Sequence, residues 1–122
     1  MKPGRTGIKR LFYATGYSIQ GLKAAWLNEA AIRQETVTSI LLITTTFFLP
    51  ITKIEQIMMI GCLVLVVIVE LMNSAVEAVV DRVGNEWHEL SGRAKDIGSA
   101  AVLIALIFSA FTWMFILWPY YF

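Results

Sequence analysis

Residues 98–118 form a run of 21 positions without a single charged side chain. A helix of that length spans the hydrocarbon of a bilayer, and few soluble folds can hide one. A second apolar run covers about 57–80, and its first half, 57–69, has no polar side chain apart from Cys62. A third, about 30–49, is shorter and carries several threonines before Pro50. The composition agrees. Of the 122 residues, 57% are hydrophobic and 16% charged, where soluble domains carry about a quarter charged. A short soluble chain cannot bury so much apolar surface. Disorder needs the opposite composition. The expected architecture is an all-α membrane protein with three transmembrane helices in a single domain, 1–122.

Residues of about 5–26 read differently. Ile8, Leu11, Phe12, Ile19, Leu22 and Trp26 recur at helical spacing, with Lys9, Tyr13, Gln20 and Lys23 on another face. This predicts an N-terminal amphipathic helix lying in the membrane interface; the plainer alternative is a helix packed on protein. Nine of the ten basic residues fall before the first span or between the second and third, leaving only Lys53 on the other side. The positive-inside rule then places the N-terminus and the 81–96 loop in the cytoplasm and the C-terminus outside. No cleavable secretory signal is expected at the N-terminus. A net charge of +1 gives no basic field for nucleic acid.

Metal and thiol chemistry is narrowly bounded. One cysteine, Cys62, and one histidine, His88, leave no zinc cage and no disulfide within the chain. Any metal would be held by carboxylates, which favours magnesium or calcium. The segment GYSIQGLK misses the phosphate-loop spacing by one residue and lacks a preceding strand.

The second span carries the chemistry. Charges inside a membrane cost about 2.5–3.5 kcal/mol each on insertion scales and mark functional positions. Glu70, Asn73, Glu77 and Asp81 fall on one narrow stripe at about 100° per residue. Asn73 and Ser74 alone would fit polar glue between helices. Two carboxylates need a cation or a proton. Glu29 lies near the same membrane boundary as Glu77 and Asp81, so the group suits a hard cation such as magnesium; a solvated surface charge is the plainer reading of Glu29. Lys95, expected at the start of the third span, would add to helix N-terminal N–H groups that attract phosphate. A topology-setting basic residue is the plainer reading.

The stretch ELMNSAVEAVVD, 70–81, resembles the signature of the prokaryotic diacylglycerol kinases: Glu, two residues, Asn, Ser or Thr, a small residue, an aliphatic, Glu, three residues and Asp. The resemblance runs on through NEWHELSGRAKDIGSAAVLIA and back through GYSIQGLKAAWLNEAAIRQE. It implies a small inner-membrane kinase that moves the γ-phosphoryl of ATP to a lipid hydroxyl with magnesium, as a homotrimer with shared sites. It implies Glu70 as general base, Asn73 beside the reacting phosphate, and Glu29 and Glu77 as carboxylates holding the nucleotide's magnesium. Lys95 and Asp96 would contact the nucleotide, and Glu86, Trp87, His88, Arg10 and Tyr17 its adenosine part.

For the lipid, the resemblance implies Glu70 with Arg10, Ala14, Thr15, Gly16, Tyr17, Ser18 and Ile19, then Lys23, Ala24, Ala25 and Trp26 of the surface helix. Ala31, Ile32, Arg33, Gln34 and Glu35 follow, with Phe48, Leu49, Pro50 and Ile51 in the turn. Ser99, Trp113, Met114, Phe115, Ile116, Leu117 and Trp118 complete the set. Undecaprenol kinase, a branch of the same family, shares the core motif; the loop EWHELSGRAKD resembles the diacylglycerol branch. A small ion-conducting protein is the reading from another class, but 57–69 offers no polar continuation for a path. Three spans cannot wall off the stripe, so oligomerisation is expected on physical grounds as well.

Overall fold

In the computed structural model, which describes residues 6–122, the chain is helical almost throughout. Helix α1 runs Gly7–Asn28, α2 Ala30–Thr46, α3 Lys53–Val83 and α4 Glu89–Tyr121. Helix α3 is the centre. It packs most extensively on α4 and next on α2, while α1 touches chiefly the start of α2.

Glu29 makes the first corner. Its backbone is extended (φ −121°, ψ 110°), so it ends α1 and opens α2. Helix α2 stops at Thr46, three residues short of the expected 49. The approach to Pro50 explains this, because a residue preceding proline is pushed out of the helical region. Phe48, Leu49, Pro50 and Ile51 therefore form the turn.

Helix α3 begins at Lys53, four residues before the expected 57, because Thr52 and Glu55 build a reciprocal capping box. The Thr52 Oγ1 accepts from Glu55 N at 3.1 Å, and Thr52 N donates to Glu55 Oε1 at 3.0 Å. Two otherwise orphaned donors are satisfied there. Helix α4 begins at Glu89 rather than 98, capped by His88, whose Nδ1 accepts from Leu90 N at 3.0 Å. The polar stretch expected as a long loop is thus mostly helix, and only 84–88 is irregular.

Two helices, α3 with 31 residues and α4 with 33, are long and apolar enough to cross a membrane. At 1.5 Å per residue each exceeds the roughly 30 Å hydrocarbon layer. Helix α2, at 17 residues, reaches only about 25 Å. No residue of α1 is buried, and Ile8, Leu11, Phe12, Ile19, Leu22 and Trp26 are all exposed. Its apolar face is left largely exposed in the protomer. The small core lies along α3, where Met59, Cys62, Leu63 and Val66 are buried with Ile32 of α2 and Ala105 of α4.

Candidate active site

Continuous helix through 70–81 keeps the polar stripe on one side of α3. Glu70 lies deepest and is only 7% exposed. Glu35, Glu77 and Glu29 all lie close enough to act on it electrostatically. Four carboxylates from the α1–α2 corner, the first turns of α2 and the middle of α3 therefore share one region. Among the described residues, none of the four has a lysine or arginine within ion-pair distance; the ion pairs present are Arg93–Glu89 and Lys95–Asp81. Glu70 is the buried one of the four, and buried negative charge without a counter-charge is costly, so a proton or a cation would stabilise it.

One turn on, Asn73 Nδ2 donates to Glu77 Oε1 at 3.1 Å. That is the ordinary i,i+4 reach on a helix face. Asn73 Oδ1 is buried without a hydrogen-bond partner among the described residues. Asp81 accepts from Lys95 Nζ at 2.8 Å. The stripe therefore turns from the α1–α2 corner at Glu70 to face α4 at Asp81.

The position of Lys95 differs from expectation. It stands six residues inside α4, not at its N-terminus, because the helix starts at Glu89. Its ammonium answers a carboxylate, and the N-terminal N–H groups lie a turn and a half away. It is still near enough to Glu77 to feel its charge. Asp96 follows it, exposed, on another side of α4.

Glu86, Trp87 and His88 line a cleft of about 740 Å³ that includes Val83 and Ser91. Trp87 is 85% exposed. A second cleft, of about 490 Å³, lies between α1 and α3 and is lined by Ser18, Ala24, Ala25, Glu29 and Ser74. Arg10, Ala14, Thr15, Gly16, Tyr17, Ile19, Lys23 and Trp26 lie along α1. Arg33 Nη1 donates to Trp26 O at 2.6 Å and braces the corner beside Glu29.

The expected lipid positions separate into two levels. Ala31, Ile32, Gln34 and Glu35 of α2 and Ser99 of α4 belong to the carboxylate end. Trp113 to Trp118 lie at the opposite end of α4, about 20 Å along the axis from Ser99. There Trp113 Nε1 donates to Met59 O at 3.0 Å, so that indole is spent on holding α4 to α3.

No group of three or more His, Cys, Asp or Glu side chains among the described residues is arranged to hold a metal by protein ligands alone. Magnesium needs no such cage, since one or two carboxylates plus phosphate and water complete its shell. Glu29 and Glu77 supply hard oxygen donors of that kind, and the uncompensated charge around Glu70 fits a cation nearby.

Two participants escaped sequence reasoning. Helical spacing sets Asp81 on the stripe but cannot match it to Lys95, because partners 14 residues apart meet only when two helices fold together. Gly98 stands in the sequence only as part of an apolar run. An added Cβ there would collide with Asn73 Oδ1. A glycine inside a helix was the available signal.

The family model described as prokaryotic diacylglycerol kinase matches residues 16–117. Among curated proteins, the diacylglycerol kinase of Escherichia coli K12 is 52% identical over 121 residues, 99% of each chain. That of Haemophilus influenzae is 56% identical over 108 residues, 88% of this chain and 92% of its own. That of Pseudomonas aeruginosa is 49% identical over 114 residues, 93% of each.

Proposed function

This chain belongs to the prokaryotic diacylglycerol kinases, and from that membership we propose that it phosphorylates sn-1,2-diacylglycerol to phosphatidic acid with ATP. It is an integral membrane enzyme, a kinase acting on an alcohol group. The observation that carries the finer reading is Glu70, a buried carboxylate inside a membrane helix in the field of three others.

Phosphoryl transfer calls for positioning and charge neutralisation more than covalent chemistry by the protein. The lipid hydroxyl oxygen attacks the γ-phosphorus, the bond to the β-phosphate oxygen breaks, ADP leaves, and Glu70 takes the hydroxyl proton. Glu70 lies about 10 Å deeper along α3 than Glu77. That depth suits the hydroxyl of a lipid headgroup, whereas Glu77 and Glu29 sit where a soluble nucleotide can reach. Magnesium bound with the nucleotide would supply neutralisation of the β- and γ-phosphate oxygens. Glu29 and Glu77 would hold it, and Asn73 would keep Glu77 in place. Lys95 shifts between Asp81 and phosphate, with Asp96 beside it. The loop of Glu86, Trp87 and His88, with Arg10 and Tyr17 of α1, receives the adenosine.

The lipid enters along α1 and the first turns of α2, where Ala14 to Ile19, Lys23 to Trp26 and Ala31 to Glu35 meet the headgroup with Ser99. Its acyl chains extend toward Trp113 to Trp118 and the turn at Phe48 to Ile51. Helix α1 rests in the interface on its exposed apolar face. Helix α2 completes three spans, with the N-terminus cytoplasmic and the C-terminus outside the bacterial inner membrane. A carboxylate cluster open on one side and exposed apolar side chains on every helix support an oligomer whose neighbours close each site, and the family resemblance makes it a homotrimer.

The test is transfer of labelled γ-phosphate by purified protein in mixed micelles, with diacylglycerol and undecaprenol offered side by side, with magnesium or with chelator. Magnesium-dependent labelling of diacylglycerol is expected. Preferential labelling of undecaprenol would assign the sister activity, and labelling of neither lipid by folded oligomer would overturn the reading.

A further inference from the structure

We infer that Gly98 is a positioning residue for the metal-binding carboxylate: its missing side chain seats the Asn73 amide, which in turn holds Glu77. The inference rests on the reading of Glu77 as a magnesium ligand.

Gly98 is singular among the glycines described. At Gly7, Gly16, Gly21, Gly61, Gly84 and Gly92 an added Cβ would meet nothing within 4 Å. At Gly98 it would run into Asn73 Oδ1 and come within 3.2 Å of Asn73 Cγ. Those atoms belong to a side chain with little freedom to retreat. Its Nδ2 is engaged by Glu77 Oε1, and its Oδ1 is buried between the helices. Turning the amide over would set Oδ1 against the Glu77 carboxylate, acceptor against acceptor. Glycine is among the poorest residues for a helix interior, a cost that a packing role at 98 would offset. The approach of the Asn73 amide supplies it. Ala94 and Ala101, one turn to either side, line the same side of α4 against Asn73 and Val76. Together they line a shallow cleft between α3 and α4, and the close approach is at Gly98 itself.

Carboxylates that bind metals are themselves held by hydrogen bonds, and loss of such a partner costs about 10–100-fold in metal affinity or activity. Alanine at 98 would displace the Asn73 amide and release Glu77. The expected signature is a metal defect with a normal lipid response.

The experiment is a double-variant cycle of wild type, Gly98→Ala, Asn73→Ala and Asn73→Ala/Gly98→Ala in micelles. Two quantities are read: binding of Mn²⁺ in the presence of a non-hydrolysable ATP analogue, by the loss of free Mn²⁺ paramagnetic resonance signal, and the KM for diacylglycerol. Gly98→Ala should weaken Mn²⁺ binding about tenfold and leave that KM within about twofold. In the Asn73→Ala background the same change should shift Mn²⁺ binding by less than about twofold, the scatter of independent sites. An equal penalty in both backgrounds, a penalty confined to the lipid KM, or no penalty would overturn the inference. If Gly98→Ala alone fails to assemble, recovery of folded oligomer by the double variant supports it and failure of the double variant overturns it. Glu77→Gln binding Mn²⁺ as wild type would sink the metal reading itself, a result separable from loss of coupling between 73 and 98.

Discussion

The two ends of the α3–α4 pair are built on opposite principles. Around Met59 the polar groups answer one another within the protomer. Trp113 Nε1 donates to Met59 O, Ser109 Oγ to Cys62 Sγ at 3.4 Å, and Tyr120 OH to Glu55 Oε1 at 2.7 Å. Gln56 Nε2 ties the same end to Thr46 of α2 at 3.1 Å. Around Glu77 one cross-helix ion pair, Lys95–Asp81, stands beside a carboxylate cluster that, among the described residues, has no basic side chain within ion-pair distance, and an asparagine oxygen that has no donor there. The contrast distinguishes a scaffold from a site. A span that only has to hold together satisfies its polar groups internally. One that binds charge leaves them for the ligand, and its neighbour must keep them in position.

The comparison can be broken first at Glu70. Glu70→Gln keeps the shape and removes the carboxylate proposed as the base. Turnover should fall about 10²–10⁴-fold, roughly 3–5 kcal/mol in barrier, with the oligomer intact; lost folding in place of lost turnover would make Glu70 a scaffold residue. Next is Glu77→Gln. The magnesium needed for half-maximal rate should rise at least about tenfold, since even a hydrogen-bonding partner of a metal ligand is worth that much. An unchanged magnesium titration would remove Glu77 from the metal site.

The other end should respond in stability alone. Met59 is 0% exposed, and Met59→Ala opens a cavity worth about 2 kcal/mol, toward the lower end for core truncations because lipid supplies little hydrophobic drive between helices. Denaturation in micelles measures it, and the magnesium titration should not move. The smallest effect belongs to Tyr120→Phe. The hydroxyl is exposed, so losing its bond to Glu55 should cost under about 1 kcal/mol, again with unchanged magnesium dependence. A magnesium shift in either variant as large as that of Glu77→Gln would mean that the ends are not separate.

Much of this division was legible in the residues. The stripe 70–81 and the uncharged run 98–118 fall within α3 and α4, and periodicity in a long apolar segment is a strong signal. The ends of elements were less so. Lys53 opens α3 because Thr52 and Glu55 cap it, a Thr-x-x-Glu pattern readable beforehand. Glu89–Asp96 is helical because His88 caps it, although its polarity reads as loop. The pairings across helices were not legible at all. Nothing in sequence spacing sets Trp113 against Met59 or Gly98 against Asn73.

By itself the sequence determined the solvent, the helices and the chemistry. Apolar runs of bilayer length demand lipid, and helical spacing puts Glu70, Asn73, Glu77 and Asp81 on one face, because both are properties of a single segment. Only the tertiary structure decided which neighbours that face meets: Glu29 and Glu35 gather near Glu70, Lys95 is given to Asp81, and Gly98 is left bare for Asn73. Those choices depend on the rotation and height of one helix against another. Side-chain packing over the whole contact sets them, and no single segment carries that information.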